Sequence, residues 1–254
     1  MIDAHVHLER GAYTEEWLGR FIDAAVQRGI TKLYLLEHSH RFSEFRSIYK
    51  SISSGSYCGR WLETKLQIPL YDYLRFIDSA RGTEYPIEVK FGLEVCYFEG
   101  YEEEIQKVLK LYDFDFLTGS VHYIDGWGFD HKAEHWQGRD VNETYLRYYE
   151  IMNNLVKSGI FNILAHPDSI KCFGNYPTID MTKLYEDLAE LLVKYGVKAE
   201  QSAGLHLNYN HPEVGMNKLM LHILKTAGVD IITASDAHSP ENTGLYIDEM
   251  ALLL

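Results

Sequence analysis

Cysteine, basic charge and long apolar runs are all scarce in this chain of 254 residues, and each scarcity removes a class of protein. There are three cysteines, Cys58, Cys96 and Cys172, scattered without metal-ligand spacing and too odd in number for a closed disulfide framework. Reduced thiols are expected. No apolar run approaches the roughly 18 residues that span a bilayer, and the first residues lack the basic-then-apolar pattern of a secretion leader. The expectation is a cytoplasmic protein without a membrane partner. Lys and Arg number 24 against 37 Asp and Glu, a formal net charge of -13. Binding along nucleic acid needs phosphates neutralised by Lys and Arg, so no long nucleic acid is expected as a partner. A small anion stays within reach, because bound metal ions can invert the local field of an acidic protein.

What is present reads as a well-filled α/β chain. Hydrophobic residues make up 46% and charged residues 24%, enough for one large core and one domain at this length. Short β-branched or aromatic runs alternate with amphipathic ones, the pattern of βα units around a parallel sheet. Seven strands are expected at 2–7, 32–37, 88–95, 114–121, 161–166, 198–202 and 230–235. Helical spacing covers 15–27, 69–80, 102–112, 141–157, 180–195, 216–226 and 242–253. The stretch 40–81 breaks the rhythm, with a Ser/Gly-rich loop at 51–56, and is expected as an insertion over one end of the barrel.

In parallel barrels functional groups gather at the C-terminal ends of strands. His5 and His7 close the first strand here, His38 follows the second, Glu94 lies near the end of the third and His122 ends the fourth. His166 ends the fifth, and Asp236 and His238 follow the last. Residues two apart on a strand share a side, so His5 with His7, and Asp236 with His238, are each placed to bind one ion. A lone strand-end histidine is usually structural, but so many at successive strand ends imply a shared metal site. Imidazole and carboxylate donors suit zinc, manganese or iron, and without thiolate clusters the site is expected to be catalytic. The donors exceed the needs of one ion, which implies two to three divalent ions with Glu94 as the bridging carboxylate.

These residues fall in segments that resemble the polymerase and histidinol phosphatase (PHP) superfamily. They are Asp3-Ala-His5-Val-His7, Glu37-His38-Ser39, Gly92-Leu93-Glu94, Ser120-Val121-His122, Ala165-His166-Pro167 and Ser235-Asp236-Ala237-His238. The resemblance covers nearly the whole chain and implies a distorted (β/α)7 TIM-like barrel with a trinuclear site. It implies that His5, His7, Glu94 and Asp236 hold one ion, and Glu94, His122 and His166 a second. His38 and His238 would hold the third, which in the family takes a further ligand from the loop after the first strand. No histidine stands there, so Glu9 is nominated, ahead of Glu15 and Glu16. Within the superfamily, His122-Tyr-Ile-Asp125-Gly-Trp127-Gly-Phe-Asp130-His131 resembles the monofunctional histidinol phosphatases. One departure is His206, which stands in Ser202-Ala-Gly204-Leu205-His206 where those enzymes carry an arginine.

The expected activity is hydrolysis of a small phosphate monoester, with L-histidinol phosphate favoured, through a hydroxide bridging the ions. Three divalent ions, offset by Glu9, Glu94, Asp236 and that hydroxide, leave a charge of about +2, which matches a phosphate dianion. Asp236 and His238 are the candidates to relay a proton to the leaving group. Arg10, Arg41, Lys132 and Arg139 are candidate phosphate clamps, with Arg10 and Arg41 preferred for their closeness to proposed ligands. Asp130, with Asp125, is a candidate partner for a substrate amine, and His206 for a substrate contact. His131, His135 and His211 are divided between substrate contact and surface. Two other readings compete: a phosphodiesterase or a nucleotide or oligonucleotide phosphoesterase on the same metals, and a barrel kept only for binding.

Overall fold

The computed structural model describes residues 1–254 throughout. In chain order it runs β1 (Ile2–His7), α1 (Glu15–Gln27), β2 (Lys32–Leu36), α2 (Tyr57–Lys65), α3 (Leu70–Arg81), β3 (Glu88–Cys96), α4 (Glu102–Leu109) and β4 (Phe116–Ser120). A hairpin, β5 (Tyr123–Ile124) with β6 (Trp127–Gly128), precedes α5 (Val141–Lys157), β7 (Ile163–Leu164), α6 (Thr182–Tyr195) and β8 (Lys198–Ser202). The chain ends with α7 (Gly204–Tyr209), α8 (Lys218–Thr226), β9 (Ile231–Ala234) and α9 (Ile247–Ala251).

Local chemistry accounts for the element ends. Thr14 caps α1 by accepting from the Trp17 amide at 3.2 Å, and Glu15 and Glu16 meet the positive end of the helix. Leu18, Phe21, Ile22 and Ala25 then recur on one face of α1, and all four are buried. Gly196 ends α6 in the left-handed region at φ 66°, where a side chain would be strained.

Seven strands form one parallel sheet in the order β1-β2-β3-β4-β7-β8-β9, with helices between them. The two edges meet where the His7 amide donates to the Ala237 carbonyl at 2.8 Å, so the sheet nearly closes into a TIM-like barrel. Buried Asp3 fastens this seam, accepting from the Ser235 amide at 2.8 Å, the Ser235 hydroxyl at 2.6 Å and the Gly244 amide at 2.8 Å. A small apolar cluster of Ala4, Leu36, Phe116, Ile163 and Ile232 draws on five of the seven strands, from β1 and β2 through β4 and β7 to β9, so it fills the barrel interior. The larger core lies between sheet and helices.

A register shift in β1 between Asp3 and Val6 sets the site's orientation. Strict alternation would put Ala4 and His5 on opposite faces. The bulge resets the phase, so Ala4 packs in the interior floor while His5 and His7 also turn inward above it.

The last predicted helix is corrected. Residues 242–253 do not form one helix: the turn at Pro240–Asn242 is followed by left-handed backbone at Gly244 (φ 76°) and Tyr246 (φ 62°), and only Ile247–Ala251 is helical. The tie from Gly244 to Asp3 holds that break. The fifth expected strand shrinks to the two residues of β7. The stretch 40–81 holds two short 3-10 turns, α2 and α3, and places His40, Tyr57, Trp61 and Lys65 on the wall of a cavity at the ligand end of the barrel.

Candidate metal centre

Glu94 is the middle of the site. It emerges from β3 fully buried, with its two carboxylate oxygens aimed in different directions. Oε2 lies 3.3 Å from His5 Nε2, 3.4 Å from His7 Nε2 and 2.6 Å from His38 Nδ1. Oε1 lies 2.9 Å from His122 Nε2 and 3.4 Å from His166 Nε2. His5 Nε2 and His7 Nε2 approach each other to 2.9 Å, and Asp236 Oδ1 lies 3.7 and 3.6 Å from them. On the outer side, His238 Nε2 lies 3.4 Å from His38 Nε2 and 3.6 Å from Glu9 Oε1.

Whether this cluster suits a cation can be read from its unsatisfied atoms. Glu94 Oε2 is surrounded by three imidazole nitrogens, yet it accepts a properly angled hydrogen bond from none of them. Buried polar atoms are seldom left so, and a metal ion is a partner that satisfies oxygen and nitrogen lone pairs together. Burial alone would raise the Glu94 carboxyl, but His38 and His5 outweigh it and hold it well below the usual carboxylate range. Burial likewise opposes protonation of His5, but Glu200 and Glu94 outweigh it and raise its pKa well above the ordinary imidazole value. The cluster thus attracts positive charge at its centre. Its donor set of imidazoles and carboxylates fits divalent metal binding.

A second layer of residues orients these donors. Glu200, on β8, lies with Oε1 2.9 Å from His5 Nδ1, and its Oε2 accepts from the His166 amide at 3.1 Å. Asp130 Oδ2 lies 2.7 Å from His122 Nδ1. His238 Nδ1 lies 2.9 Å from the Asp236 carbonyl, which leaves Nε2 facing the cluster. The Asn208 amide donates to the Asp236 carboxylate at 3.3 Å, while Gly204 leaves room for that same carboxylate. His166 and Asp236 both have positive φ, at 25° and 54°, backbone strain of the kind that gathers at functional sites.

All nine sequence-nominated donors, Glu9 included, converge at one end of the barrel. The nominated substrate contacts divide. Arg10 and Asp130 line a cavity of about 520 Å³ opening onto the cluster, and so does His131. Arg41 does not: its guanidinium donates to buried Glu37 at 2.9 Å and lies over the Tyr13 ring. Lys132 sits over the Tyr57 ring at 4.1 Å, outside the cavity lining. His206 is turned away as well, its nitrogens meeting the His211 carbonyl at 2.8 Å and the Tyr246 hydroxyl at 3.1 Å. Arg139 stacks on Trp127, Asp125 pairs with Arg147, His135 meets the Gly128 carbonyl and His211 meets Tyr176.

Several residues of the site escaped sequence reasoning, among them Glu200, His40, Trp61 and Lys65. Glu200 is fully buried on β8, but in the polar run Lys198-Ala-Glu-Gln-Ser202 nothing singles it out. His40, Trp61 and Lys65 line the cavity from the 40–81 stretch, where α2 forms outside the βα rhythm of the chain.

Comparison with known proteins agrees with this geometry. The PHP domain family matches residues 3–203. The chain is 24% identical over 259 aligned positions to the "Probable histidinol-phosphatase" of Deinococcus radiodurans, covering 96% of this chain and 88% of that protein. It is 22% identical over 260 positions to the "Histidinol-phosphatase" of Lactococcus lactis subsp. lactis, covering 100% and 90%. The crystal structure of the L. lactis histidinol phosphate phosphatase, complexed with zinc, L-histidinol and phosphate, superposes with a TM-score of 0.76 at 20% identity, covering 99% of this chain and 91% of that one. That likeness establishes the shared fold. With the family match running from Asp3 at the barrel seam to Ala203 beyond β8, the chain belongs to the PHP domain family.

Proposed function

We propose that this protein is a phosphoric monoester hydrolase that uses two to three divalent ions, zinc, manganese or iron, and acts on L-histidinol phosphate to release L-histidinol and phosphate. The observation that carries the reading is the divided Glu94 carboxylate, one oxygen toward His5, His7 and His38 and the other toward His122 and His166. A carboxylate so placed is suited to be shared between ions. His5, His7, Glu94 and Asp236 would hold one, Glu94, His122 and His166 a second, and His38 and His238 with Glu9 a third. Such ions supply Lewis-acid stabilisation of a phosphoryl group and lower the pKa of an attacking water.

The chain's own residues do the rest. Glu200 and Asp130 accept the Nδ1 protons of His5 and His122, which keeps both Nε2 lone pairs toward the cluster. Arg10 and Lys65 line the cavity and would draw a phosphate dianion into an otherwise acidic protein. Tyr57, Trp61, Tyr123 and His131 would offer ring faces and edges to the imidazole ring of the leaving group. Asp130 lines the cavity and would supply the acid that meets a substrate amine. Asp236 and His238, both lining the cavity, are the groups available to pass a proton to the departing alkoxide.

The test is phosphate release from a panel of phosphate esters, L-histidinol phosphate among them, with zinc, manganese and iron supplied separately. Turnover of L-histidinol phosphate above the other esters, abolished in Glu94→Ala, is expected. A metal-loaded enzyme that hydrolyses other monoesters but leaves L-histidinol phosphate untouched would remove the substrate assignment.

A further inference from the structure

We propose that His40 is itself a metal ligand, completing with Glu9, His38 and His238 a four-donor site for the third ion. This rests on the metal-dependent reading above and extends it to a residue outside the strand-end pattern.

Geometry carries the inference. The donor atoms of Glu9, His38 and His40 lie within 4.8 Å of one another, and those of His7, His38 and His238 form a second such group. His38 belongs to both. Its ring stacks on His40 with centroids 4.5 Å apart and planes 21° from parallel, and it also stacks with His7 at 4.0 Å. The loop between β1 and α1 holds one carboxylate, Glu9, and no histidine, so it offers the third ion only a single side-chain donor of this kind. An ion with four protein donors fills a tetrahedral shell and admits water or substrate by expanding to five-coordinate. His38, His238 and Glu9 make three, and His40, whose donor atom groups with those of Glu9 and His38 and which lines the same cavity, is an imidazole placed to be a fourth.

The backbone fixes His40 there. It sits at the centre of the 3-10 turn Ser39–Arg41, and both flanking side chains are anchored. The Ser39 hydroxyl pairs with the Tyr49 hydroxyl at 2.7 Å, and Arg41 donates to Glu37 at 2.9 Å. Trp61 closes on the ring, with centroids 4.7 Å apart. A donor held by its neighbours in this way loses little freedom on binding.

The experiment counts metal by mass spectrometry on zinc-loaded, desalted protein, with chelator competition for the weakest ion. Wild type is expected to hold three equivalents and His40→Ala two, the third binding more weakly by over about 100-fold, beyond what loss of an outer partner causes. Three equivalents at unchanged affinity in His40→Ala would overturn the proposal and leave the metal-dependent reading intact. Two in wild type would overturn it also, and none would defeat both. If His40→Ala does not fold, His40→Cys loaded with cobalt decides: a thiolate-to-cobalt charge-transfer band missing from wild type supports ligation, and its absence from a folded, fully loaded variant overturns it.

Discussion

Glu200 Oε1 lies 2.9 Å from His5 Nδ1, joining strands 195 residues apart in sequence. The contact fixes the His5 proton on Nδ1, and through the His166 amide the same carboxylate also positions a second donor. Glu200→Gln retains an accepting oxygen but removes the charge. Metal affinity is expected to fall by about 10- to 100-fold in that variant with the fold intact, measured by chelator competition. Equal affinities would show Glu200 to be only a packing residue.

Gly204 lies against the Asp236 side chain so closely that a methyl group there would collide with the carboxylate. Asp236 already sits at φ 54°, so its backbone has little room to yield. Gly204→Ala is therefore expected to lower kcat by roughly 100-fold through misplacement of Asp236. Steady-state kinetics beside a thermal melt separate this from general unfolding.

The two cation environments should respond differently to truncation. Lys65→Ala removes a charge lining the cavity, and KM for the phosphate ester is expected to rise about tenfold with kcat little changed. Arg41→Ala instead strips the partner from Glu37, which is fully buried and whose carboxyl burial pushes up to about 7 even with Arg41 beside it. That variant should lose about 3 kcal/mol of stability and show no matching rise in KM.

Lys171 is buried, with its ammonium 2.6 Å from Asp168 and 2.7 Å from Glu213. Burial works to lower its pKa, but Asp168 and Glu213 outweigh that and raise it above the ordinary 10.5. A raised folded-state pKa means that the stabilisation is complete below 10.5 and fades as pH rises through the folded value. Lys171→Met should be less stable than wild type at pH 7 by about 3 kcal/mol in denaturant unfolding, with the difference narrowing only in strong alkali.

The barrel and its donors were legible because both follow from short-range rules. Strand alternation and strand-end position located His5, His7, Glu94, His122, His166, Asp236 and His238 without any knowledge of contacts. What was hidden depends on long-range packing. Nothing in the sequence marks the bulge that turns Ala4 and His5 to one side of β1, nor the pairing of Glu200 with His5. Arg41 and His206 both sit close in sequence to site residues, yet other partners, buried Glu37 for one and half-buried Tyr246 for the other, turn them from the cavity. His40, Trp61 and Lys65 could not be placed because the 40–81 stretch lacks the βα rhythm that fixed everything else.

The most direct test of the account is phosphate release from L-histidinol phosphate by chelator-stripped protein before and after divalent metal is restored. The expected result is negligible release without metal, and recovery with at least one of zinc, manganese and iron in wild type but not in Glu94→Ala. Undiminished release by the stripped protein, or none with any of the three ions once they are shown to be bound, would contradict it.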